Sequence, residues 1–222
     1  MRAVIVLVAM TGVAQAAPSG LELVSITAGT RAGDGAGFVL ARSDWNNTEG
    51  LSLGANVEMP VWQHVRAVLR VEDLGNNGRP GAGLAYVMAP YATAYLMYKA
   101  EGFSEPEGEI EAALALAHGP LAGSVTYGQD VDAKNRDVEG ALAARAEVGH
   151  NVFAGALARY RDALGTTGEA LARDGFGGAT ATLVVDRLAF TAMAGVAGVQ
   201  KSGMGETFET GPAATLAIGA AF

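Results

Sequence analysis

The sequence predicts an all-β fold, an antiparallel up-and-down transmembrane β-barrel of about twelve strands. Three observations carry that prediction: a hydrophobic period of two along most of the chain, an alternation of short and long connections, and an apolar composition with no helix-length apolar run. Of the 222 residues, 50% are hydrophobic and only 17% charged, with 31 Gly and no Cys. Such a chain is too apolar for disorder, and a formal net charge of -8 argues against a nucleic-acid partner. Without Cys there is no disulfide scaffold, thiol chemistry or Cys-ligated metal. Three His leave little room for a His-rich metal centre, so no cofactor is expected.

The chain opens with a secretory signal peptide over residues 1–16. Met1 and Arg2 precede an apolar stretch from Ala3 to Val13, and Ala14-Gln15-Ala16 forms a small-residue cleavage site. Residues 17–222 show no linker and no shift in composition, which predicts a single domain. The nearest approach to a helical span, Ala179 to Val199, is interrupted by Asp186-Arg187 at its middle, where charge is most costly in a bilayer.

Strict alternation then identifies the strands. Leu51, Leu53, Ala55, Val57 and Met59 face away from Ser52, Gly54, Asn56 and Glu58. Val65, Ala67, Leu69 and Val71 oppose His64, Arg66, Val68, Arg70 and Glu72, and Ala94, Leu96 and Tyr98 oppose Thr93, Tyr95, Met97 and Lys99. Ala-rich segments at Glu109 to Ala117 and Val138 to Val148 have helical propensity. Period decides for strands, because Glu139, Arg145 and Glu147 share parity but not one helical face.

The connections give the topology. Short ones fall at Met59-Pro60-Val61, Ala89-Pro90, His118-Gly119-Pro120, Gly149-His150-Asn151 and Asp186-Arg187-Leu188. Between them lie longer polar stretches, near Ser43 to Gly50, Asp73 to Pro80, Glu101 to Gly108, Gln129 to Asp137, Asp162 to Asp174 and Lys201 to Glu209. Eleven connections imply twelve strands, with short turns at one end and long loops at the other.

The last eight residues, Thr215-Leu216-Ala217-Ile218-Gly219-Ala220-Ala221-Phe222, alternate and stop on an aromatic ring. In this the chain resembles the bacterial outer-membrane β-barrel proteins of Gram-negative cells, whose final strand ends in an aromatic assembly signal; Ala217 departs from that pattern, which prefers Gly. The resemblance implies that Phe222 is read by the outer-membrane assembly machinery, that the short turns are periplasmic and that the long loops are extracellular. Membrane lipid and lipopolysaccharide would then surround the barrel. Aromatic residues fall at both ends, with Phe38, Trp62, Tyr86, Tyr91, Phe153 and Phe190 near the short turns. Trp45, Tyr98, Phe103, Tyr127, Tyr160 and Phe176 lie near the long loops, giving two girdles. Residues 17–35 are either a periplasmic extension or the start of a long first strand bulged through Gly33-Asp34-Gly35-Ala36-Gly37.

Function must lie in the lumen or the loops. Inward parity assigns Glu58, His64, Arg66, Arg70, Glu72, Tyr95, Lys99, Glu139, Arg145, Glu147, Arg159 and Arg161 to the pore lining, together with Asn56, Glu109 and Glu111. Arg66 with Arg70 and Arg159 with Arg161 would form basic ladders of the kind that pass acidic or hydroxylated solutes. A twelve-stranded barrel lies between packed and wide-pored ones. The expected function is therefore a narrow passive channel for small hydrophilic solutes or ions. The alternative is a non-conducting structural or surface-interaction barrel whose Arg and Glu pair into a filled lumen. The long connections carry most acids, among them Asp44, Glu109, Asp137, Asp162 and Asp174, and would concentrate cations at the mouth. His118 and His150 lie in short turns, away from the outer rim, so no enzymatic activity is expected.

Overall fold

In the computed structural model, which describes residues 37–46, 50–74, 78–103, 107–166, 170–186, 188–201 and 208–221, the period-two segments are twelve antiparallel strands. They are β1 (Phe38–Asn46), β2 (Gly50–Trp62), β3 (Val65–Leu74), β4 (Arg79–Ala89), β5 (Ala92–Ala100) and β6 (Gly108–His118), followed by β7 (Leu121–Asp130), β8 (Asn135–Gly149), β9 (Val152–Gly165), β10 (Ala170–Val185), β11 (Leu188–Lys201) and β12 (Glu209–Ala221). The expected signal peptide at 1–16, the segment 17–35 and Phe222 lie outside the described residues. Each strand pairs with its neighbours in sequence, and β1 pairs with β12 from Phe38 opposite Ala221 to Asn46 opposite Ala213, so the sheet is closed. Closure gives the strand N–H and C=O groups ladder partners without a free edge, the condition that hydrocarbon imposes on a sheet.

Five two-residue connections join β2 to β3, β4 to β5, β6 to β7, β8 to β9 and β10 to β11 at one end. Gly119, Asn151 and Asp186 adopt positive φ there (58°, 59° and 53°), as hairpin turns of this length require. One turn differs from its expected place. Strand β2 runs through Met59-Pro60-Val61 and turns at Gln63-His64. A register shift between Pro60 and Trp62 accommodates the missing proline N–H, so Pro60 marks a bulge and not a turn. At the other end the strands reach further than their polar tips suggested. The connections there shrink to 47–49, 75–78, 101–107, 131–134, 166–169 and 202–208.

Parity sorts the side chains. Outward residues such as Leu53, Leu69, Leu84, Leu96, Leu142, Leu183, Leu216 and Ile218 are exposed around the wall, the apolar belt that lipid demands. Trp62, Tyr86, Tyr91 and Phe190 ring the short-turn end and Trp45, Tyr98, Tyr127 and Tyr160 the other. Phe38 and Phe176 are not girdle residues: they are 1% and 4% exposed and point into the barrel, and Phe153 packs against Phe38's cluster. The core is thus the lumen itself.

Candidate functional site: the charged lumen

Charged side chains form a belt in the long-loop half of the barrel. On β1, Arg42 meets Asp44 at 3.0 Å and reaches Glu72 of β3 at 3.8 Å. Gly54 on the intervening strand makes that reach feasible, since a Cβ there would sit 2.9 Å from the Arg42 Nε. Arg70 lies 3.7 Å from Glu111, which also binds Lys99; Lys99 is 3.3 Å from Glu109. Arg79 closes on Glu109 at 3.9 Å. Farther round, Arg161 donates through Nε to Asp137 at 2.7 Å and lies 3.9 Å from Asp174. Arg159 holds Glu139 at 3.2 Å and is also hydrogen-bonded to Asp174.

These pairs are diagonal or opposite neighbours set by register. Lys99 stands opposite Glu109, and Glu139 opposite Arg161, so inward parity delivers opposite charges to adjacent strands. Gly128 acts as Gly54 does. A Cβ at this position of β7 would collide with the carboxylates of Glu109 and Asp137, which meet over it from β6 and β8. Nearly all of this belt is withdrawn from water, with Arg159 and Lys99 at 0% and 1% side-chain exposure. Buried charges of this kind are tolerable only when paired and hydrogen-bonded.

Beneath the belt two apolar clusters fill much of the lumen, with uncharged polar side chains between them. Val68, Tyr95, Met97, Leu157, Phe176 and Met193 belong to one buried cluster built from strands on opposite sides of the barrel. Nearer the short turns a second cluster gathers Phe38, Leu40, Val184, Ala189 and Ala217. An ion pair at this depth joins Arg66 to Glu58, at 3.6 Å.

Most of the residues assigned to the lining by parity do face inward. Glu58, Arg66, Arg70, Glu72, Tyr95, Lys99, Glu139, Arg159 and Arg161 are buried in the lumen, with Asn56, Glu109 and Glu111 beside them. Arg145 is half-buried at the short-turn end. Glu147 is exposed and accepts a 3.4 Å hydrogen bond from the Asn151 backbone, so it caps its turn. His64 lies in the β2–β3 turn, exposed, with its ring edge-on to Tyr86 at 6.3 Å; the shift of that turn past Pro60 removes it from the inward row. The two Arg ladders are neutralised by carboxylates and present no free basic track. Three acids expected only in loops, Asp44, Asp137 and Asp174, are buried belt members. Arg42, which no charge ladder had suggested, joins them. The acidic excess therefore falls on the rim, at residues such as Asp73, Glu101, Glu107, Asp130, Asp132 and Asp162.

The sequence matches no protein-family model and no curated protein. Among solved structures, a NanC porin superposes with a TM-score of 0.51 at 7% identity, over 82% of this chain and 98% of that one. OpdQ of Pseudomonas aeruginosa gives 0.43 at 11% identity, over 81% of this chain and 59% of that one. OmpT of Vibrio cholerae, in a loop L8 deletion mutant, gives 0.38 at 11% identity over 85% and 98%. The fold is that of an outer-membrane β-barrel. At these identities the likeness is one of architecture.

The outward wall of the barrel carries a groove of about 690 Å³ across β1, β12, β11 and β10. Small residues at Ala41, Ser43, Ala181 and Ala192 form its base, and Leu183, Phe190, Leu216 and Ile218 its sides. Arg42 also lines it, with its guanidinium paired to Asp44 and Glu72 in the lumen.

Proposed function

We propose that this chain is an integral outer-membrane barrel of a Gram-negative cell that is closed at rest by its own side chains, a structural or surface-interaction barrel whose long loops face outward and whose acidic rim meets lipopolysaccharide and cations. The observation that carries this reading is the cross-lumen layer of Tyr95, Met97, Leu157, Phe176 and Met193, buried beneath a belt of mutually paired charges. An ion crossing such a layer would shed its water into an apolar constriction, which is how hydrophobic gates block conduction. The belt sets six cations against seven carboxylates, so it offers little net charge to draw the ion in. Phe222 would serve the assembly machinery, and the barrel needs no cofactor and performs no catalysis.

A narrow passive channel for small hydrophilic solutes is the second reading, favoured by the polar lumen and by the porin fold. Single-channel recording of the refolded mature protein in a planar bilayer separates the two. Silence from barrels that are demonstrably folded supports closure. Steady conductance from the unaltered protein would establish the channel and sink the closed reading, and its reversal potential in a salt gradient would give the selectivity.

A further inference from the structure

Among the described residues, the buried hydroxyl and amide side chains of the lumen are satisfied unequally from wall to wall. On β10 to β12 three of the buried threonines are partnered: the hydroxyls of Thr182 and Thr191 lie 2.9 Å apart, and Thr215 donates to Asp44 at 3.1 Å. On β2, β5 and β7, by contrast, Asn56, Thr93, Ser124 and Thr126 are buried with side-chain atoms hydrogen-bonded to no protein group. A buried hydroxyl or amide in that condition is costly, and such positions favour water or a hydrogen-bonding solute.

Register gathers three of the four. Thr93 of β5 stands opposite Ala115 of β6, which stands opposite Ser124 of β7. One step on, Tyr95 stands opposite Ala113, which stands opposite Thr126. Two alanines thus form a low floor between two strands that carry hydroxyls. Tyr95 is the bulky side chain over this floor, and its inward neighbour on the other side, at β4, is Ala85. Small residues flank it on both sides. Phe176, reaching in from the opposite wall, is seated differently. A Cβ at Gly178 or Gly195 would come within 2.6 or 2.8 Å of its ring, so the ring lies down over both glycines.

We propose that the β5–β7 wall is the lumen's path for water and small neutral hydrogen-bonding solutes such as polyols, and that Tyr95 is the side chain that closes it. Phe176, lying over two glycines, is one half of the closure, and Tyr95, whose cross-strand neighbours are Ala85 and Ala113, is the other. Neutral hydroxyls along the wall and paired charges above it would pass such solutes without selecting by charge. This rests on the closed-lumen reading for its resting state, and its test is chosen to fail separately.

Because the chain has no Cys, single thiols can report which wall is wet. Ser124→Cys and Thr191→Cys proteins, each also carrying Tyr95→Ala in a second pair, would be refolded, checked for heat-modifiable gel migration, and treated with a small water-soluble methanethiosulfonate. The expected result is labelling at position 124 at least about tenfold faster than at position 191, since thiol reactivity follows access to water and thiolate character. Tyr95→Ala should accelerate labelling at position 124 and leave position 191 unchanged. Equal rates on the two walls, equal acceleration at both, or no labelling at position 124 in either background would overturn the proposal. Conductance of the unaltered protein would sink the closed reading alone, since the ranking of the two walls could still hold.

Discussion

The two halves of the lumen are closed by different physics. Toward the long loops the space is filled by Arg42, Arg70, Lys99, Arg159 and Arg161 set against Glu72, Glu109, Glu111, Asp137, Glu139 and Asp174. Toward the short turns it is filled by Phe38, Leu40, Val184, Ala189 and Ala217. The apolar half gains from every buried group separately, so damage there is local and graded. The ionic half first loses the hydration of every charge and recovers it only through complete pairing, so one missing partner exposes the full cost. The barrel therefore has a robust end and a brittle one.

Removing one cation should show that brittleness most strongly. Arg159→Ala leaves Glu139 and Asp174 buried without the guanidinium that binds both, and should cost about 3–5 kcal/mol. Chemical unfolding in lipid vesicles would measure it. Replacing Arg159 by Met while converting Glu139 to Gln and Asp174 to Asn should recover most of the loss, because the uncompensated charges are then gone. A cost below about 1 kcal/mol for the single change, the range of exposed pairs, would show that the belt is hydrated.

At the opposite end, Leu40→Ala removes a side chain that is 1% exposed and packed in the second cluster. The expected loss is about 2–5 kcal/mol, set by how far its neighbours close over the gap. Adding a distant second truncation should add to it simply, whereas two cuts within the ionic belt should not. Next in size is Gly128→Ala. Its Cβ would push apart the Glu109 and Asp137 carboxylates, each already held by a cation, at about 1–3 kcal/mol. Gly140, with open space around a Cβ, supplies the control and should tolerate alanine.

This contrast also explains what was legible in the chain. Period two fixes which face a residue takes, so the twelve strands, the closed topology and the inward placement of Glu58, Arg66, Lys99 and Arg159 could be read directly. Parity does not say where a strand ends. Asp44, Asp137 and Asp174 sit near strand tips among polar neighbours, where an ionised residue in a buried belt and one in a solvated loop look alike in sequence. Cross-strand register separates them, by setting Arg161 opposite both Glu139 and Asp174. The turn at Gln63-His64 was obscured by Pro60, a turn former by habit that here sits beside a bulge. Gly54 and Gly128 could not be singled out among 31 glycines until the side chains passing over them were located.

The smallest effect should come from the pair that most resembles a belt contact on paper. In the 131–134 connection Lys134 lies 2.5 Å from Asp132 and its backbone N–H donates to the same carboxylate at 3.1 Å. Those hydrogen bonds hold the Asp132 carboxyl below its ordinary range. A depressed carboxyl contributes stability above its unfolded-state value and loses it as the pH falls through the folded-state value. Here, however, the two side chains are 75% and 49% exposed, and water and salt screen almost everything the geometry offers. Lys134→Met should therefore raise the Asp132 titration toward the usual carboxylate range in an NMR titration and leave the unfolding midpoint where it was. If the midpoint instead fell as far as for Gly128→Ala, burial would not be what makes the belt brittle, and the rim and the lumen would have to be treated as one electrostatic unit.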